Sequence, residues 1–509
     1  MIPGATAPGA DGWFGYPRAA WLIIGVEAWE RFSFYSILSL LILFLTGDPA
    51  HGGFGWKAAD ALSLLGIYSG AMYAFPALGG YLADRILGRR RAIGFGLAFM
   101  LTGQVLLMSP AFLPAFWGAW RHAPLLGSLR ALGVPLGFLH PTLAITTAIQ
   151  QSGARLDPLR GASWLRQAYA LASVGFYTAI FFLILGNALM KSSLVVLCGE
   201  AFSPTDPRRE GAYAYYYLGI ALGAVVSGMV VGVVAQAFGW YWGFMTGTVG
   251  VLVALGTYLG LAPRWLRQIG VHPDRPERRG ALPPAAERAQ DGERGRRIAL
   301  LAILASLLCV FSTGWFQLFG TWSLFIETFV DRSVGPFVVP VPWFGSLDAA
   351  VAICFAPLLA ALWVRLATTR IAVDIVQKYV FALATAAIAH VLMFVCSRHA
   401  TVQAPGSLWF PFSAVTLLAI GELVAWTSTY AVVSRAAPSG LASMTMGIWY
   451  MLTLGLGGYL SGATGRIVNS VGFSATFALV AALMGGGAIA TFLLRRPILR
   501  LAERAGIAL

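Results

Sequence analysis

Apolar runs of bilayer length recur along this chain from residue 21 to residue 494, with one long polar break near the middle. A hydrocarbon core about 30 Å thick takes roughly 20 apolar residues per helical crossing, so this pattern predicts an all-α protein embedded in lipid. Composition agrees: of 509 residues 58% are hydrophobic and 11% charged, whereas a water-soluble domain carries about a quarter charged residues. Twelve spans are expected, at about 19–45, 61–83, 92–115, 168–198, 212–236, 241–263, 298–326, 346–366, 374–396, 408–433, 442–466 and 472–494. An even number puts both termini on one side.

Net charge is +14, and with three lysines nearly all of the positive charge is arginine. Alternate connections carry it: Arg85, Arg89, Arg90 and Arg91; Arg208 and Arg209; the 264–297 segment; Arg365 and Arg370; Arg435; and Arg495, Arg496, Arg500 and Arg504. Cytoplasmic loops are enriched in Lys and Arg in this way, so these loops and both termini are expected in the cytoplasm, with the chain in the cell (inner) membrane. Arginines gathered in short segments between apolar spans do not form the basic face that nucleic-acid binding needs. Cys198, Cys309, Cys354 and Cys396 have no metal-ligand spacing and read as buried small residues. The first span carries Glu27, Glu30 and Arg31, which a cleavable signal does not tolerate, so it is expected to stay as an anchor.

Residues 264–297 hold nine arginines, five carboxylates and several prolines, too polar to bury a core of their own. They read as a cytoplasmic linker between a first bundle of six helices, 1–263, and a second, 298–509. An irregular insertion, 117–167, interrupts the first bundle and contains the modest apolar run Ala131–Ile149, read as external interfacial helices or a membrane-dipping pair.

Two stretches carry chemistry. Gly79-Gly80-Tyr81-Leu82-Ala83-Asp84-Arg85-Ile86-Leu87-Gly88-Arg89-Arg90-Arg91 joins spans two and three. Its glycines allow close helix approach, and Asp84, Arg85 and Arg89 can pair across the end of a bundle as a gate; the stretch resembles the loop signature of the major facilitator superfamily. Glu27-Ala28-Trp29-Glu30-Arg31-Phe32-Ser33-Phe34-Tyr35 places three ionisable side chains at i, i+3 and i+4, on one helical face. Charge inside hydrocarbon is expensive and normally faces a partner or an aqueous path.

The second stretch resembles the ExxERFxYY signature of the proton-coupled oligopeptide transporter family. Further stretches agree: Tyr73 before Asp84; Gly186-Asn187-Ala188-Leu189-Met190-Lys191; Arg208-Arg209-Glu210 followed by Tyr217-Leu218-Gly219-Ile220; and Gly421-Glu422-Leu423, Ala437-Pro438 and Met446-Gly447-Ile448-Trp449. The resemblance implies a major facilitator fold, with Glu27, Glu30 and Lys191 as the proton-coupling trio, and Glu30 with Lys191 is the expected central pair. The residues support such a site in their own right. A peptide has a carboxylate at one end, which Arg31 and Lys191 suit, and an ammonium at the other, which Glu422 suits. Tyr35, Tyr73 and Trp449 would line side-chain pockets between them.

Departures from the family pattern are equally specific. Ala221 stands where an asparagine contacts substrate, Gly320 or a neighbour where span seven has a glutamate, and Asp348 where span eight has an asparagine. Phe34 replaces a tyrosine, Leu38 an arginine, and Ala425-Trp426 a Ser-Pro pair. Asp348 is expected to restore the acid missing from span seven. Asp374 and Lys378 read as the end of span nine, and neither a metal, a cofactor nor catalytic machinery is expected. The expected function is proton-driven symport of di- or tripeptides by alternating access. A carrier for nitrate, an amino-acid conjugate or an organic acid, and a non-transporting sensor on the same fold, are the alternatives.

Overall fold

The computed structural model describes residues 12–47, 53–108, 161–203, 206, 208–273, 284–367, 373–436 and 442–507. Most of the 117–167 insertion and the Ala437-Pro438 dipeptide lie outside them. The first half comprises α1 (Arg18–Thr46), α2 (Ala58–Ala74), α3 (Pro76–Leu82), α4 (Arg89–Leu107), α5 (Gly161–Glu200), α6 (Arg208–Phe238) and α7 (Trp240–Trp265). The second comprises α8 (Pro284–Trp315), α9 (Thr321–Phe329), α10 (Pro342–Ala367), α11 (Ile375–His399), α12 (Trp409–Ala436), α13 (Ala442–Tyr450), α14 (Leu456–Gly465), α15 (Val468–Leu493) and α16 (Arg495–Arg504). Ten helical segments among the described residues are long and apolar enough to cross a bilayer. The third and eleventh expected spans are occupied by α4 and by α13 with α14.

Large apolar side chains point outward as well as inward: Phe181, Leu358 and Ile489 are each at least 60% exposed. A soluble protein does not cover itself this way, whereas lipid solvates such a surface. Cys354 belongs to that outer face and is exposed, contrary to the expectation for the four cysteines; Cys198, Cys309 and Cys396 are buried. The polar segment also differs from expectation in part, because its residues from Pro284 onward are the first turns of α8. Arg296 and Arg297 donate from there to the carbonyls of Arg504 and Ala505, fastening the C-terminal helix.

Among the described residues three spans are broken near their middle. Between α2 and α3 the chain turns at Phe75 before Pro76; between α8 and α9 it tightens into a 3-10 turn, Phe316–Phe319; between α13 and α14 it loosens into a π-turn, Met451–Gly455. Such departures from α geometry in mid-span mark hinges or sites. The halves meet where side chains are smallest. A Cβ placed on Gly66 of α2 would lie 2.7 Å from the Cα of Gly462 in α14, and one on Gly70 would lie 3.1 Å from the Gly455 carbonyl oxygen. The other seam is α6 on α10, where Ser346 donates to the Val225 carbonyl at 2.7 Å.

Candidate functional site

Helix α1 supplies most of the site's charge, and its neighbours hold it in place. Gln104 of α4 donates to Ser33 at 2.6 Å, and Ser36 and Ser227 share a 3.0 Å hydrogen bond between α1 and α6. On the remaining face Glu27, Glu30 and Arg31 are buried, 0%, 0% and 2% exposed. Arg31 grips Glu30 with both arms of its fork, Nε to Oε2 at 2.5 Å and Nη2 to Oε1 at 2.7 Å. Lys191 of α5 donates to Glu27 at 2.6 Å, and the same Glu27 oxygen lies 3.5 Å from Arg31 Nε. Two acids and two bases thereby neutralise one another. Lys191 bonds Glu27 here rather than Glu30, whose two oxygens both accept from Arg31.

Asn187, one turn before Lys191, belongs to this cluster although its sequence suggested no role. Its Oδ1 accepts from Arg31 Nη2 at 3.1 Å, and its Nδ2 donates to the Met72 carbonyl at 2.6 Å. Phe34, the departure from a family tyrosine, lies under the guanidinium of Arg31 with its ring centroid 4.5 Å from Cζ. That is a cation–π contact, which needs the ring face and no hydroxyl. Leu38 is fully buried among apolar neighbours, and Ala221 is buried on α6.

Aromatic rings connect the cluster to the second half. Tyr35 packs on Phe319 with centroids 6.3 Å apart, Tyr73 on Phe316 at 6.1 Å, and both phenylalanines pack on Trp315. Trp315 then splits its indole N–H between two acids, Asp348 Oδ2 at 3.3 Å and Glu422 Oε2 at 3.1 Å. No cation among the described residues forms a salt bridge with either acid. Trp449 is buried in the same core without a ring contact to Tyr35 or Tyr73 among the described residues.

At the break in span seven Gly320 faces Leu62 of α2, whose methyl would lie 3.1 Å from an added Cβ. The buried polar side chain at that break is Gln317, which donates to Thr464 at 2.8 Å and to the Ser461 carbonyl at 3.1 Å, and accepts from Thr321 at 2.5 Å. It ties the 3-10 turn to α14.

The loop motif folds as a compact ion knot. Arg89 pairs with Asp84 at 3.0 Å and also with Glu200 at the end of α5, a partner the loop itself does not suggest. Gly88 between them has φ +78°, a region only glycine enters freely. Arg85 is exposed and makes no ion pair among the described residues. Asp374 caps α11 through a capping box with Gln377 and pairs with Arg495 at 2.7 Å, so it closes a helix end. No cluster of three metal-ligating side chains occurs among the described residues.

Buried charge has little structural use in lipid and marks a solute path; in a helical body of this kind it defines a multi-pass membrane transporter, not an enzyme. The family follows by comparison: the model of the POT family matches residues 90–279 and 278–479, and the chain belongs to it. It is 25% identical to peptide transporter YePEPT of Yersinia enterocolitica subsp. palearctica, over 92% of this chain and 91% of that one. A mutant of peptide transporter POT in complex with alafosfalin superposes with a TM-score of 0.76 at 18% identity, covering 96% of this chain and 97% of that one. A POT family transporter in complex with 5-aminolevulinic acid gives 0.74 at 17%, covering 96% and 98%. The fold is therefore the major facilitator fold of two six-helix bundles.

Proposed function

We propose that this chain is a proton-coupled symporter that imports di- or tripeptides, or peptide-like molecules, by alternating access. One observation carries the reading. An ion cluster on α1 and α5 that contains both cations and an acid pair on α10 and α12 lie at the two ends of a continuous aromatic path that crosses from one half to the other. Arg31 and Lys191 suit a substrate carboxylate, Asp348 and Glu422 suit its ammonium, and Tyr35 and Tyr73 line the span between. The related transporters crystallised with alafosfalin and with 5-aminolevulinic acid support ligands of this kind.

Coupling follows from the ion count. While Glu27 and Glu30 are ionised, they hold both cations. A proton on Glu30 releases the fork of Arg31, which then has two parallel donors to offer a carboxylate. The proton and the anionic end of the substrate are thus bound together, and neither is favoured alone. In this reading residues 1–263 and 298–509 rock as bodies about a fixed site, residues 264–297 connect them, and the Asp84–Arg89 knot gates the side that faces the cytoplasm, where both termini lie. The membrane is the inner membrane.

Uptake of a labelled dipeptide into proteoliposomes under an imposed inward proton gradient tests the reading. Accumulation that collapses with a protonophore is expected. A second reading, transport of a small amino acid with separated end charges, draws on the 5-aminolevulinic acid complex of a relative. Accumulation of that solute with no dipeptide uptake would replace the peptide assignment.

A further inference from the structure

Helix α2 ends at Ala74 and α3 begins at Pro76. Proline has no N–H, so the carbonyl four residues earlier, that of Met72, loses its helical donor. In lipid, no water replaces it. Asn187 fills the place with Nδ2 at 2.6 Å, and its other end receives Arg31 Nη2 at 3.1 Å. The orientation of this amide is fixed by its partners, because a carbonyl only accepts and a guanidinium only donates. Asn187 is 3% exposed, so both bonds are shielded.

The break lies between two differently attached segments. Before it, α2 is pressed onto the second half along Gly66 and Gly70. Beyond it, α3 is pressed onto α5 of its own half, where a Cβ on Gly79 would overlap the Ala188 carbonyl, next to Asn187. Ala77, directly at the break, meets Gly447 of α13. The break at Phe75 and Pro76 is therefore where the segment packed on α14 passes to the segment packed on α5.

We infer that Asn187 is a positioning residue that ties the engagement of Arg31 to the bend of α2 at Pro76, an inference that rests on the transport reading above. When Arg31 turns from Glu30 to a substrate carboxylate, its Nη2 leaves Asn187, and the amide loses one of the two bonds that fix it. The donor to Met72 is then loosened, and the segment held on α14 tilts relative to the segment held on α5. The state of the ion cluster is thereby passed to the helix that bridges the two halves.

A double-mutant cycle on the full-length carrier tests this. Asn187→Ala is expected to lower the apparent Tm in detergent. Pro76→Ala restores an N–H that serves Met72 from within the helix, so Asn187→Ala should cost clearly less in that background. Pro76→Ser, which also restores the N–H, repeats the cycle independently. In proteoliposomes Asn187→Ala should reduce the maximal rate of dipeptide uptake by about tenfold, the worth of one hydrogen bond to a charged group. It should also shift the pH profile, and Pro76→Ala should restore neither. Strictly additive Tm losses would overturn the link between Asn187 and Pro76. A coupled Tm cycle with wild-type rate and pH profile would overturn the link to Arg31, leaving Asn187 a helix cap. Should the wild-type carrier move no dipeptide, the transport reading fails, while the Tm cycle still decides whether Asn187 serves the break.

Discussion

The two ends of the site handle buried charge in opposite ways. On α1 and α5, Glu27, Glu30, Arg31 and Lys191 form a closed, neutral network in which every cation already holds an acid. On α10 and α12, Asp348 and Glu422 converge on one indole N–H with no cation among the described residues beside them. Breaking a buried pair strands a charge, whereas an acid pair without a counter-ion lacks something a ligand can bring. Under the proposed function, the first region would be opened by a proton and the second completed by a cation.

The comparison is broken most severely by Glu30→Gln, which removes the carboxylate from the fork of Arg31. Stranding a buried charge costs about 3–5 kcal/mol, so gradient-driven uptake should fall by more than about a hundredfold. Uptake near the wild-type level would show that the network does not couple. Asp348→Ala addresses the other end: KM for a dipeptide should rise by roughly tenfold with the loss of one charged hydrogen-bonding partner, and unchanged transport would remove Asp348 from the site. Phe34→Leu keeps the volume apolar but deletes the cation–π contact, worth about 0.5–2 kcal/mol. A loss of a few-fold in uptake is expected, with Phe34→Tyr close to wild type.

The smallest effect belongs to an ion pair of the same chemistry placed in a connecting loop. Asp206 receives Arg208 Nη2 at 2.7 Å and the Arg208 backbone N–H at 2.9 Å, and the side-chain hydrogen bond from Arg208 is the main reason its carboxyl is held below the usual range. Its folded value is depressed, so its contribution is complete above the ordinary carboxylate range and disappears as pH falls through the lowered value. Asp206→Asn should leave uptake unchanged and alter the apparent Tm only slightly, with the difference from wild type vanishing in acid. A large effect at neutral pH would mean that position in the membrane is not what separates the strong pairs from the weak.

Much of the fold was legible because the bilayer dictates span length, and because charge in apolar runs is rare enough to be conspicuous. Glu27 and Arg31, four apart on one helix, meet as their spacing predicts. A contact between Glu30 and Arg31 was expected, but not its two-armed form, since adjacent helical positions diverge by about 100° and only long side chains bending back make it possible. Trp315, Asn187 and Glu200 were missed for a shared reason: each acts on a partner from another span, and an indole, an amide or a loop-end acid carries no local pattern. Gln317 was missed for the same reason, since its amide binds Ser461 and Thr464 of another span. The helical start of α8 was concealed by its polar composition, which speaks against a buried core but not against a solvated helix.

The contact of Gly66 with Gly462 has a mechanical consequence. Backbone lies against backbone there, so the two helices approach more closely than side chains of any size would allow. A joint this close fixes the first segment of the broken span on the second half, and leaves the bend at Pro76 as the place where that span changes partners.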